Sequence, residues 1–304
     1  MSAPTPVALS SLGDFPLPSL DGADDKEARG RVLVVAGSAQ VPGAPILSGL
    51  AALRAGAGKL QLVAARPAAL ALGLAVPEAA VIAVAANGDG DMVPEAAAEL
   101  QHLIEDADAV VVGPGMASEP GSGELAARLM LASAGPAFVA DAAALTELDL
   151  NGGAAQSLGG RLVVTPHAGE MAKLLDRSKE DVLADPCEAA RVLAARLKGV
   201  VVMKGAETFI VSPDGRAWSH AGGVIGLGTS GSGDVLAGVI GGLLARGAAP
   251  LTAALWGVCL HAAAGARLSD RRGRVGLLAR ELPAEIPALL DEAAAASARA
   301  ANLG

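Results

Sequence analysis

The run from Gly226 to Gly238, GLGTSGSGDVLAG, sets six small residues, Gly228 through Gly233, directly ahead of Asp234. An apolar stretch follows from Val235 to Leu244. Glycines without side chains let backbone N–H groups converge on an anion. A helix starting at Ser232 or Gly233 adds its unpaired N–H groups and the positive end of its dipole. A carboxylate is out of place in such a hole if the anion merely rests there. It is at home if an acid must act on a hydroxyl beside a phosphate. These residue types predict phosphoryl-transfer chemistry with Asp234 as the base. The plain alternative is a flexible glycine loop with Asp234 capping the helix that follows.

Other chemistry-bearing residues stand apart in the sequence. TPHAGEM (165–171) offers His167 and Glu170, where Glu170 could equally sit in a first helical turn and His167 be a hydrogen-bonded structural histidine. Lys204, in KGAET (204–208), either binds a phosphate or stays solvated, and Gly205 beside it suggests a close approach of the backbone. Asp141 either meets a ligand hydroxyl or caps a helix. His261, in an alanine-rich stretch with Cys259, reads as a buried packing residue, and His102 and His220 have no context. The loop contains a formal GxGxxG, Gly226 to Gly231, but no clean strand precedes it, and the next acid after Asp234 is Asp270. A dinucleotide-binding turn is therefore rejected, and the lack of a nearby GK[ST] rejects a Walker loop.

Something must carry these residues to one place. Short apolar runs end in glycine or polar turns at 31–37, 59–65, 79–85, 109–115, 136–142, 161–167 and 199–206, with alanine- and leucine-rich stretches between them. Runs of β-branched residues and leucine suit strands buried on both faces, and their alternation with helices predicts an α/β fold with a mainly parallel sheet covered on both sides. Residues 207–220 read as a hairpin turning at Pro213-Asp214-Gly215, and the chain from Ser232 onward as mainly helical. Gly37-Ser38, Gly113-Pro114-Gly115, Asp141, Thr165-Pro166-His167, Lys204-Gly205 and the glycine loop all directly follow apolar runs. In open parallel sheets the ligand lies just beyond the carboxyl ends of the strands, so these positions are expected to line one crevice.

Composition narrows the classes. The chain has 304 residues, 52% hydrophobic but 2% aromatic with no tyrosine, so alanine, valine, leucine and glycine must fill the core. A net charge of -9 argues against nucleic acid and anionic membranes as partners. Two isolated cysteines, Cys187 and Cys259, point to a reduced, cytoplasmic setting without a cysteine metal site. Neither a signal peptide nor a membrane span is expected. Residues 1–24, rich in Pro, Ser and Asp, read as a flexible lead-in, and 25–304 as one domain.

Taken together, VVAGSAQVPGAPILSGLAALRAGAGKL (34–60), VVGPGM (111–116), TPHAGEM, VVMKGAET (201–208) and GTSGSGDVLAG (228–238) resemble the nucleotide-dependent dehydratases that repair hydrated NADH and NADPH, of the ribokinase-like superfamily. The resemblance runs from about Arg31 to Leu290 and implies a three-layer α/β/α fold. It implies that Asp234 is catalytic and also meets the substrate, NADHX or NADPHX, with Ala44, Gly115 and His167. Lys204, Gly205, Ala206, Glu207 and Thr208 would line the nucleotide with Gly231, Ser232 and Gly233. ADP, or ATP, is implied as co-substrate, with Mg²⁺ held mainly by nucleotide oxygens and no protein metal site. A homo-oligomer is expected, and the epimerase domain often fused in front is not seen. Two departures stand out: Ala143 replaces the second acid of the family's DADAL, and Ser230 replaces a loop glycine, which requires a negative φ there. The rivals are a small-molecule kinase of the same fold, acting on a thiazole or hydroxymethylpyrimidine alcohol, and an inactive nucleotide-binding homologue.

Overall fold

A computed structural model describes residues 2–301 apart from 20, 21, 23, 24, 118, 119, 147, 149, 151 and 152. Ten strands run in chain order as β1 (Thr5–Pro6), β2 (Arg31–Val35), β3 (Lys59–Ala65), β4 (Ala79–Val84), β5 (Ala109–Val112), β6 (Ala137–Ala140), β7 (Leu162–Val164), β8 (Val200–Met203), β9 (Thr208–Val211) and β10 (Ala217–His220). The helices are α1 (Ala44–Arg54), α2 (Arg66–Ala75), α3 (Ala96–Glu105), α4 (Pro120–Leu131), α5 (Ala154–Ser157), α6 (Ala168–Leu175), α7 (Lys179–Ala184), α8 (Pro186–Leu197), α9 (Ser232–Ala245), α10 (Pro250–Arg272) and α11 (Ile286–Ala301). The sheet order is β1-β10-β9-β8-β7-β6-β5-β2-β3-β4. Among the described strands β9 alone runs against its neighbours; every other pairing is parallel.

The unbroken apolar runs have a simple cause. Side chains alternate between the two faces of a strand, and both faces here are covered. Val32 and Val34 pack into one core with α1, α9 and α10, whereas Leu33 and Val35 pack into the other with α3, α4 and α8. With few aromatics to fill space, helices must come close. Gly238 and Gly242, one turn apart on α9, face α1 so tightly that a Cβ would lie 2.2 Å from the Ser48 carbonyl oxygen and 2.3 Å from that of Ala52. This contact fixes where α9 begins. The predicted hairpin is present as β9 and β10, but it is not the sheet edge.

β1 takes that edge, and it corrects the reading of residues 1–24 over the stretch from Thr5 to Pro18. Val7 donates its N–H to the Ser219 carbonyl at 2.8 Å, and Leu12 is buried. Phe15 packs edge-on against Trp218 at 5.7 Å and accepts a 2.7 Å bond from the Trp256 indole N–H. Apolar residues spaced among the Pro and Ser of this segment have a face to cover, which composition did not reveal. The 23-residue α10 passes a length-and-hydropathy test for crossing a membrane, yet 67% of its apolar window is buried against the rest of the protein. It is a core helix.

Substituting Gly238 by valine forces α1 and α9 apart. We expect a loss of roughly 1–3 kcal/mol in urea unfolding, the usual cost of overpacking. The start of α9 moves with it.

Candidate active site

The strand order reverses at β2, which lies between β5 and β3, and the residues following the parallel strands gather beyond their carboxyl ends. Gly37, after β2, donates its N–H to the Pro114 carbonyl at 2.8 Å, tying two of these ends together. Lys204, after β8, donates its N–H to the Pro166 carbonyl at 2.8 Å, which places His167 and Lys204 in register.

Asp141, after β6, is the buried centre of this cluster at 2% exposure. Its Oδ1 accepts from the Thr165 hydroxyl at 2.6 Å and from Lys204 Nζ at 2.7 Å. It therefore joins three strand ends, and its side chain makes no helix-cap bond, so the capping alternative is set aside. Glu170 Oε2 stands 4.0 Å from Lys204 Nζ and accepts from the His167 N–H at 2.8 Å. His167 is the N-cap of α6: its Nδ1 accepts from the N–H groups of Gly169 and Glu170, leaving Nε2 as the protonated nitrogen. The structural and functional readings of this histidine are thus compatible. Burial works against the charge on Lys204, but Asp141 and then Glu170 outweigh it and hold its pKa above the ordinary value.

The glycine loop closes over this cluster. α9 begins at Ser232, as predicted, and Gly231 turns the chain with φ 86°. Ser230 does not have a positive φ, so serine is accommodated. A Cβ on Gly233 would sit 3.5 Å from Lys204 Nζ and 3.8 Å from Asp141 Oδ2, so the amide end of α9 faces the ion pair. Asp234 follows in the first turn. Burial, aided by the charge of Asp141 and opposed by Lys204, pushes its pKa up from an ordinary 3.8 to about 7. A carboxyl that titrates near neutrality is suited to accept a proton at neutral pH.

A cavity of about 690 Å³ lies along the loop. Its walls include His167, Lys204, Gly205, Ala206, Thr208, Ser232 and Gly233 from the predicted set. The same cavity is also lined by His220, Val224, Leu227, Val258 and Ala262, so apolar side chains accompany the polar ones. Glu207 is exposed in the turn between β8 and β9 and is not in the wall, nor is Gly231. A side chain at Gly231 would point at Leu47 and Ala279, so this glycine shapes the turn and does not face the cavity. Asp234 sits just past the wall, its Oδ2 on the same side as Leu47, and its carbonyl accepts from the Ser48 hydroxyl at 3.0 Å. Ala44 and Gly115 meet on that α1 side, where a Cβ on Gly115 (φ 62°) would be 2.3 Å from that of Ala44. The structure therefore separates the predicted residues into two groups, the cavity wall and the Ala44–Gly115 contact, with Asp234 tied to α1 through Ser48.

Thr165 and Asp141 were expected at the crevice because they directly follow apolar runs, but their bond to each other was not. The pairing of Asp141 with Lys204 spans 63 positions and has no local signature. Ala143, the departure from DADAL, is buried in the core below β6. Cys259 is buried and its thiol is pushed up to about 12, which removes it as a nucleophile. Among the described residues no cluster of three or more His, Cys, Asp or Glu could hold a metal ion.

A mainly parallel sheet between helical layers, with an acid at the amide end of a helix beyond the strand termini, defines a ribokinase-like protein built to act on a phosphorylated ligand. The NAD(P)H-hydrate dehydratase family model matches residues 32–288, and the chain belongs to that family. It is 50% identical over 285 residues to an ADP-dependent (S)-NAD(P)H-hydrate dehydratase of Xanthomonas campestris, covering 94% of this chain and 96% of the relative. It is 35% identical to a bifunctional NAD(P)H-hydrate repair enzyme of Moorella thermoacetica, covering 90% of this chain but 52% of that protein. The Bacillus subtilis ADP/ATP-dependent NAD(P)H-hydrate dehydratase, co-crystallised with ATP and Mg²⁺, superposes with TM-score 0.83 at 29% identity, over 96% of this chain and 99% of that one. A hydroxyethylthiazole kinase from Pyrococcus horikoshii gives 0.56 at 17% identity over 86% of this chain and 89% of its own, a likeness of fold alone.

The raised Asp234 pKa has a consequence for stability. The folded carboxyl keeps its proton up to about pH 7, whereas an unfolded one loses it near 3.8, so stability falls as pH rises between these values. Asp234→Asn removes that penalty. We expect the variant to melt above the parent at pH 8 and alongside it at pH 3.5 in thermal scans.

Proposed function

We propose that the protein returns the S form of hydrated NADH or NADPH to NADH or NADPH, using ADP and releasing AMP and phosphate. The observation that supports this most directly is the place of Asp234: a carboxyl titrating near pH 7, in the first turn of the helix whose amides face Lys204, with the cavity on one side and the Ala44–Gly115 contact on the other.

Hydroxide leaves a reduced nicotinamide ring poorly. In the proposed reaction Asp234 takes the proton of the substrate hydroxyl while that oxygen attacks the terminal phosphorus of ADP, and AMP departs. The N–H groups from Ser230 to Gly233 and the ammonium of Lys204 stabilise charge on the transferred group. Phosphate then leaves with the oxygen, a neighbouring ring carbon gives up a proton, and the double bond is restored. The diphosphate lies beside Lys204, Ser232 and Gly233, and the base against the apolar lining of Val224, Leu227 and Val258. The hydrated ring lies toward the α1 side, near Ala44 and Gly115, with His167 reaching it from the cavity wall.

Three carboxylates, Asp141, Glu170 and Asp234, face one lysine in a site that must admit a polyanion. That excess of negative charge fits a Mg²⁺ that arrives on the nucleotide, with Asp141 Oδ2 and Glu170 as outer partners. Such an ion would neutralise charge on the phosphates. A reduced, cytoplasmic setting suits the two free buried cysteines and the substrates proposed, and a homo-oligomer remains part of the proposal.

The test is an assay of hydrated NADH with ADP and, separately, with ATP. We expect reduced-nicotinamide absorbance to grow in step with free phosphate, and faster with ADP. A stable phosphoester of an added alcohol, without that absorbance, would instead mark a small-molecule kinase. Tight ADP binding with no turnover would mark an inactive homologue. In Asp234→Asn, ADP affinity is expected to persist while turnover falls at least about a hundredfold, as for loss of a general base. Turnover in the parent is expected to rise with pH through about 7 as Asp234 ionises.

A further inference from the structure

His261, on α10, makes two contacts with the first residue of α9. Its Nε2 lies 3.0 Å from the Ser232 hydroxyl oxygen and 3.0 Å from the Ser232 carbonyl oxygen. A carbonyl oxygen only accepts, so the ring nitrogen facing it must bear a hydrogen. Were Nε2 bare, two lone pairs would meet at hydrogen-bond distance. Burial pushes the imidazole down to about 4, so near neutral pH the ring is uncharged and has a single N–H, which is this one. The Ser232 hydroxyl oxygen then stands before an N–H and accepts from it. Its own proton must turn elsewhere. Ser232 and His261 both line the cavity, with Gly233 and Lys204 beside them.

We propose that His261 is a positioning residue: it holds the Ser232 hydroxyl as an acceptor, so that the O–H donates to the terminal phosphate of the bound nucleotide. This rests on the reading of the cavity as a nucleotide site. The device orients a donor without adding charge. A cation at position 261 would have to be partly desolvated at the cavity wall, and a hydroxyl free to rotate would pair with the imidazole as readily as with phosphate. A neutral imidazole with its tautomer fixed by a main-chain carbonyl excludes that second state. It also ties the first turn of α9 to α10, so the donor and Asp234 two residues on are placed together.

ADP and AMP differ by the terminal phosphate, and their dissociation constants, measured by calorimetry, read this contact. In His261→Leu we expect ADP to bind about tenfold more weakly, the order of one hydrogen bond to a charged group, with AMP unchanged. Ser232→Ala is expected to lose the same factor, the double variant no more than either single one, and His261→Gln, which keeps an N–H donor, to recover part of it. Equal weakening of ADP and AMP, or losses that add in the double variant, would make His261 a packing residue and overturn the proposal. Should His261→Leu fail to fold, Ser232→Ala decides alone: it must weaken ADP and spare AMP, and sparing both refutes the inference. A parent protein that binds neither nucleotide would instead overturn the reading of the cavity, and the proposal with it.

Discussion

The ion pair between the buried Asp141 and Lys204, which reaches it from the cavity wall at 2.7 Å, is the interaction on which the site depends. Two charges taken from water are costly unless each is paired and hydrogen-bonded. Here Thr165 shares the carboxylate and Glu170 stands beyond the ammonium, so both charges are answered. The pair locks the ends of β6, β7 and β8 in one arrangement and sets a negative charge beneath the first turn of α9. That charge, together with burial, keeps Asp234 protonated until near pH 7. Removing Lys204 would leave Asp141 buried with Thr165 alone against its charge, so the cluster acts as a unit.

The fold supplies the platform at a cost in sequence variety. Both faces of the sheet are covered, so the strands accept almost only aliphatic residues, and the helices above them approach through glycine and alanine. The close contact of α9 with α1 is what brings a helix N-terminus over the strand ends. Glycine serves two ends here. Gly231 supplies the turn into α9 and Gly115 the close approach to Ala44, both at positive φ. At Gly238 and Gly242 it is needed for lack of bulk.

Much of this was legible in the residues alone. The apolar runs marked the strands because burial on both faces erases alternation; of the positions directly after them, His167, Lys204, Gly205 and the glycine loop line the cavity, while Gly37 and Ser38 line a different one. The start of α9 at Ser232 followed from the glycine loop. Three things were not legible. The docking of residues 5–18 depends on a surface made by Trp218 and Trp256, more than two hundred positions away. The Asp141–Lys204 pair is a tertiary event between residues whose neighbours in sequence, two alanines on one side and Met203 and Gly205 on the other, carry no charge to announce it. The exposed side of Glu207 depends on a turn geometry that KGAET does not encode, so a motif-wide assignment included a residue the cavity does not use. His261 illustrates a subtler limit. Packing and positioning are the same placement seen from two sides, and only the carbonyl oxygen facing its ring distinguishes them.

The central claim is that the substrate's own hydroxyl oxygen is transferred to phosphorus. Hydrated NADH prepared with ¹⁸O in that hydroxyl tests it directly, with mass analysis of the phosphate released in unlabelled water. The account predicts that the label appears in inorganic phosphate, one atom for each turnover. Label recovered in water, with unlabelled phosphate formed by hydrolysis of ADP, would contradict it.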